Sequence, residues 1–97
     1  MLRHIFIGPT FPDCTEGSLS GVVDTLNELP TLVPWIRAFS VEQTLDWSGI
    51  RAIVLIAEFD SQADWERYMH EPKHLALGDR IKDFIDLSKM TVVQTQA

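Results

Sequence analysis

Ile50-Arg51-Ala52-Ile53-Val54-Leu55-Ile56-Ala57-Glu58-Phe59 decides the fold. The unbroken apolar stretch from Ala52 to Ala57, rich in β-branched residues, predicts a strand over residues 50–59. Side chains alternate across a strand, so Ala52, Val54 and Ile56 oppose Ile53, Leu55, Ala57 and Phe59. Both faces are apolar, whereas a sheet covered by helices on one side only should be polar on the other.

Immediately upstream, Asp46-Trp47-Ser48-Gly49 reads as a turn. Residues 35–44 carry Trp35, Ile36, Phe39, Val41 and Thr44 and predict a partner strand, so the two strands should form a hairpin. There too Trp35, Phe39 and Val41 oppose Ile36 and Ala38. Towards the start of the chain, residues 2–7 predict a first strand ended by Gly8-Pro9, and residues 8–13 a loop. Leu19, Val22, Val23 and Leu26 recur at helical spacing, with Asp13 and Glu16 placed as a capping box. Pro30 and Pro34 close that segment.

Downstream, Ser61 and Asp64 have capping spacing, and Trp65, Tyr68 and Met69 share one helix face. Pro72 interrupts; Leu77, Ile81, Phe84 and Ile85 resume the period, so the helix should kink or restart after Pro72. Residues 90–94 form a last strand. The order β-α-β-β-α-β is ferredoxin-like: an α+β fold with a four-stranded antiparallel sheet and both helices on one face. A chain of 97 residues makes one domain, residues 1–97. The uncovered apolar face predicts a homodimer packed through its sheet faces, a dimeric α/β barrel.

The formal net charge of −6, with no basic cluster, argues against nucleic acid and against anionic membrane surfaces as partners. No apolar run approaches a membrane span, and the opening residues run straight into a strand instead of a signal peptide's apolar segment. Cys14 stands alone and cannot build a disulfide framework. These features predict a cytoplasmic protein.

Tyr68 and His74 are the residues best suited to chemistry. A neutral imidazole takes up a proton near pH 7, and a phenol donates a hydrogen bond to a developing oxyanion. The same pair also reads as a core aromatic beside Trp65 and a hydrogen-bonded histidine after the kink. His4 alternates with Leu2 and Phe6 on an apolar face; if that face meets the helices, His4 points towards the pair. Phe6, Leu19, Val22, Trp65, Leu77, Ile81 and Phe84 would then wall an apolar pocket for a small molecule. His70-Glu71-Pro72-Lys73-His74 spells a zinc-protease string, but Pro72 breaks the helix which that motif requires, so no metal site is expected. No Gly-rich phosphate loop or nucleotide fingerprint is present, and no cofactor is expected. Cys14 has no partner base, and Arg37 and Arg51 read as solvated strand charges.

Tyr68-Met69-His70-Glu71-Pro72-Lys73-His74 resembles the Y-x-x-(H)-P-x-H signature of the stress-responsive dimeric α/β-barrel family. Arg3-His4-Ile5-Phe6 is similar to that family's first strand, and Glu58-Phe59-Asp60-Ser61 to the approach to its second helix. The resemblance spans the whole chain. The family includes plant stress proteins, a hydroxynitrile lyase and an olivetolic acid cyclase. Similarity to the cyclase implies a catalytic set of His74 as general base or acid, Tyr68 as hydrogen-bond donor to the oxyanion and His4, lining the pocket, as an orienting group. Glu71 stands where the family often has histidine, Ile53 where the cyclase has another pocket histidine, and Gly8-Pro9 where relatives continue the strand. The resemblance implies a cofactor-independent cyclase, lyase or isomerase acting on an aromatic, polyketide-like or small carbonyl compound. The alternatives are a non-catalytic stress or assembly protein whose dimer is the functional unit, and a monooxygenase of the antibiotic-biosynthesis or haem-handling kind.

Overall fold

The computed structural model describes residues 1–97, with every side chain except that of Asp46. The chain folds as β1 (Leu2–Pro9), α1 (Glu16–Leu26), α2 (Leu29–Leu32), β2 (Ala38–Gln43), β3 (Ala52–Phe59), α3 (Gln62–His70), α4 (Pro72–Ile81) and β4 (Thr91–Gln96). The sheet order is β2-β3-β1-β4 and every pairing is antiparallel. This is the ferredoxin-like arrangement that the periodicities predict.

Alternation along β3 assigns the two faces. Ile53, Leu55, Ala57 and Phe59 are buried beneath the helices, while Val54 and Ile56 are only partly covered on the open face. Register carries the same division across the sheet. His4 pairs with Ala57 and Phe6 with Leu55 on the helix side, whereas Ile5 pairs with Ile56 and Ile7 with Val54 on the open side. The open face therefore carries an apolar strip, rimmed by the Arg3–Glu58 ion pair at 3.4 Å and by Ser40 and Glu42.

Several boundaries differ from the sequence reading for definable reasons. The first strand does not stop at Gly8-Pro9. Its pairing with β4 ends at Ile7, so at Pro9 only the β3 side of the sheet remains. Proline's missing N–H is no loss there, and its carbonyl accepts from Asp86 N–H at 2.8 Å. The cap of α1 is Thr15, not Asp13: its hydroxyl accepts from Ser18 N–H at 3.1 Å. Pro30 opens the short helix α2, where a proline in the first turn has no N–H to lose; the chain then ends that helix before Pro34. Residues 35–37 lie outside β2, and Trp35 instead donates its indole N–H to the Asp64 carbonyl at 3.0 Å, with Arg67 stacked 3.7 Å over its ring.

Ser61 caps α3 as its spacing predicts, accepting from Asp64 N–H at 3.2 Å. The helix stops at His70 because Glu71, preceding proline, adopts extended backbone (φ −67°, ψ 121°). Glu71 then caps α4, with Pro72 in its first turn. Phe84 and Ile85 fall beyond α4; Ile85 is nonetheless fully buried, bridging to Thr10. Gly8 permits this closeness, since a Cβ there would lie 2.7 Å from Ile85 Cγ2 and 2.8 Å from Phe6 Cε1. Among the described residues no helix is long and apolar enough to cross a membrane.

Candidate functional site

A cavity of about 260 Å³ lies between the sheet and the α3–α4 break. Its floor is His4 and Phe6 of β1, Leu55 of β3 and Val92 of β4. Tyr68 and Met69 approach from α3, and His74, Leu75, Leu77, Gly78 and Ile81 from α4. Leu26, Leu29, Leu87 and Met90 complete the wall. Among the described residues, no side chain that lines the cavity carries a fixed charge.

The break at Glu71-Pro72 creates the central contact. Six positions along one continuous helix would turn residues 68 and 74 by about 240°, onto different faces. With the helix interrupted, the Tyr68 and His74 rings stack at a centroid distance of 4.0 Å and an interplanar angle of 28°. His4 meets Tyr68 edge-on at 5.7 Å. The structure thus brings together the three polar groups singled out in the sequence.

Their electrostatics follow from burial. Desolvation pushes the Tyr68 phenol well above its ordinary range, so it stays protonated and able to donate. Desolvation lowers the His74 pKa, partly offset by the Tyr68 backbone carbonyl, so His74 is neutral at pH 7. Its Nδ1 is buried with no well-formed hydrogen bond among the described residues. Burial, reinforced by the nearby His74, lowers His4 to about 4. His4 Nδ1 receives the Trp65 indole N–H at 3.1 Å and lies 3.2 Å from the Gln94 side-chain nitrogen. Two neutral imidazoles and a neutral phenol in an apolar, charge-free chamber can bind a carbonyl group, hold its oxygen by donated hydrogen bonds and accept a proton from a neighbouring carbon.

Of the predicted apolar walls, Phe6, Leu77 and Ile81 line the cavity; Leu19, Val22, Trp65 and Phe84 do not. Leu19 and Val22 are core residues on earlier turns of α1, and only Leu26 at its far end reaches the cavity. Trp65 stands behind His4. Phe84 has left the helix, and its carbonyl accepts from Phe11 N–H at 3.0 Å. Leu55 and Val92 went unread although strand register marks them, both pairing with Phe6. Leu87 and Met90 follow no helical or strand period and had no such signal. The zinc-protease string is split between α3 and α4 with Glu71 in extended backbone, so it lacks the single helix that aims both histidines at one metal.

Comparison with known proteins bears first on the sequence. The family described as Stress responsive A/B Barrel Domain matches residues 2–96. No curated protein sequence matches the chain. Among solved structures, a dimeric ferredoxin-like protein of unknown function from Bacteroides fragilis is 22% identical, with a TM-score of 0.82 over 99% of this chain and 95% of that one. A hydroxynitrile lyase from Passiflora edulis is 15% identical, with a TM-score of 0.79 over 97% of this chain and 90% of that one. An antibiotic biosynthesis monooxygenase is 20% identical, with a TM-score of 0.72 over 100% of this chain and 98% of that one. Likeness at these identities establishes the shared fold and assigns no chemistry.

Proposed function

This chain belongs to the stress responsive A/B barrel domain family, and on that premise we propose that it is an enzyme of acid–base chemistry on small, uncharged carbonyl compounds. The observation that carries the reading is the Tyr68–His74 stack at 4.0 Å, lining a chamber without charged walls, with His74 Nδ1 buried and unpartnered. His74 is the proton acceptor for a carbon next to the carbonyl. The Tyr68 hydroxyl donates to the carbonyl oxygen as negative charge builds on it. Enolate formation of this kind is the shared first half of aldol-type cyclisation, of lyase eliminations beside a carbonyl and of carbonyl isomerisation. The charge-free lining favours neutral substrates, because a buried carboxylate or phosphate would find no cation there.

We further propose that the functional unit is a homodimer closed through the open sheet face. Ile5, Ile7, Val54 and Ile56 form a strip of the kind that monomeric domains seldom leave bare. The similarity to the dimeric Bacteroides fragilis protein supports this assembly. A single monomeric species by light scattering at micromolar concentration would exclude it.

The enzymatic reading is tested by α-proton exchange. A panel of neutral aryl and alkyl ketones and aldehydes, acetophenone among them, is incubated with the protein in deuterated buffer and followed by NMR. Tyr68→Phe and His74→Ala should each slow the exchange by about a hundredfold or more. If no member of the panel perturbs the resonances of Tyr68 or His74, or if both variants exchange as fast as wild type, the enzymatic reading fails and the non-catalytic one replaces it.

A further inference from the structure

Behind the cavity, one hydrogen bond dictates the chemistry of His4. The Trp65 indole nitrogen lies 3.1 Å from His4 Nδ1, and the Gln94 side-chain nitrogen 3.2 Å from the same atom. An indole N–H only donates. Nδ1 must therefore be the accepting nitrogen, and the single proton of the neutral imidazole belongs on Nε2. Gln94 is the cross-strand neighbour of His4 on the edge strand β4 and is exposed, so its amide is free to turn either end towards the ring. Trp65 has no such choice.

We propose that Trp65 is a positioning residue that locks His4 as the Nε2–H tautomer, so that His4 serves the cavity as a hydrogen-bond donor and not as a base. The proposal rests on the reading of the cavity as a carbonyl site. It refines that reading, because the cavity then offers two donors, the Tyr68 hydroxyl and His4 Nε2–H, and one proton acceptor, His74. A ketone or aldehyde oxygen, with two lone pairs, matches the two donors. His74 remains the one imidazole available to take the proton. The two histidines thus have opposite roles.

Nitrogen-15 NMR of the histidine rings in the ligand-free protein tests this without any substrate. Wild type should show His4 protonated at Nε2 alone. Trp65→Phe keeps an aromatic side chain on that face and removes only the N–H; His4 should then become a mixture of tautomers as Gln94 turns. Gln94→Glu, at an exposed position that should not disturb folding, brings an acceptor-only group to the same nitrogen; with Trp65 in place, His4 should stay in the Nε2–H form. A wild-type His4 protonated at Nδ1 overturns the proposal. So does a Trp65→Phe variant that keeps the pure Nε2–H form, or a Gln94→Glu variant that flips it. Should Trp65→Phe not fold, the Gln94→Glu result decides alone. Failure of the ketone panel to bind counts against the proposed activity and leaves the tautomer result unaffected.

Discussion

Mild acid should weaken this fold before its carboxylates begin to titrate, and His4 is the main reason. The side chain is buried and His74 lies close by; together these hold its pKa at about 4 against 6.5 for the free imidazole. Above pH 6.5 His4 is neutral in both the folded and the unfolded chain, and stability does not depend on it. Below that pH the unfolded chain binds a proton that the folded chain refuses. Stability then falls by about 1.4 kcal/mol per pH unit until the folded His4 titrates as well, near pH 4. Going from pH 7 to pH 5 crosses about 1.5 units of this window, a loss of about 2 kcal/mol. Against a domain stability of about 5–15 kcal/mol that is readily measured. His74, its pKa also lowered by burial, adds a loss of the same sign. The assay is urea denaturation at pH 7, 6 and 5 at fixed protein concentration, comparing wild type with His4→Asn. Asparagine offers an oxygen to the Trp65 N–H but does not titrate, so only the slope with pH is compared and not the starting stability. The variant should have the flatter slope. Parallel slopes would refute the reasoning, because they would mean that His4 is solvated or protonated in the folded protein.

Other substitutions test the surrounding structure. His74→Phe keeps a ring on Tyr68 and removes the orphaned Nδ1, whose burial costs about 1–3 kcal/mol; thermal or urea unfolding should show a more stable protein that no longer exchanges α-protons. Gly8→Ala forces a Cβ to within 2.7 Å of Ile85 Cγ2 and 2.8 Å of Phe6 Cε1. It should lower stability by about 1–3 kcal/mol, as overpacking does, and a urea midpoint at or above wild type would contradict that. Gly78→Ala lies inside α4, where a Cβ meets nothing within 4 Å; it should raise the unfolding free energy by about 1 kcal/mol through helix propensity.

The fold was legible because it is written in periods. Alternation in residues 52–59 and the stripe through Leu19, Val22 and Leu26 are consequences of geometry that burial enforces. The boundaries were less legible, because neighbours outside the local stretch decide them. Pro9 stays in a strand only because β4 has already ended beside it, and Thr15 caps a helix for which Asp13 has capping-box spacing to Glu16. Within the site, Tyr68, His74 and His4 stood out by residue type and by the family signature. The cavity's extent did not, since it depends on which turns of α1 and α4 face a gap and which face the core. Leu19 and Leu26 lie on one apolar stripe, yet only the second borders the cavity. The Trp65–His4 bond joins residues 61 positions apart and has no pattern in the chain to announce it.

The interruption at Glu71-Pro72 serves the cavity and the core at once, since Tyr68, Leu77 and Ile81 belong to both. Tyr68 on one side of the break and Leu77 and Ile81 on the other are buried in the same core, and the meeting of Tyr68 with His74 depends on the chain being broken between them. A change that let the helix run through would part the rings and turn Leu77 and Ile81 out of the core as well. The contact between Tyr68 and His74 is therefore lost at less cost by replacing a ring than by mending the break.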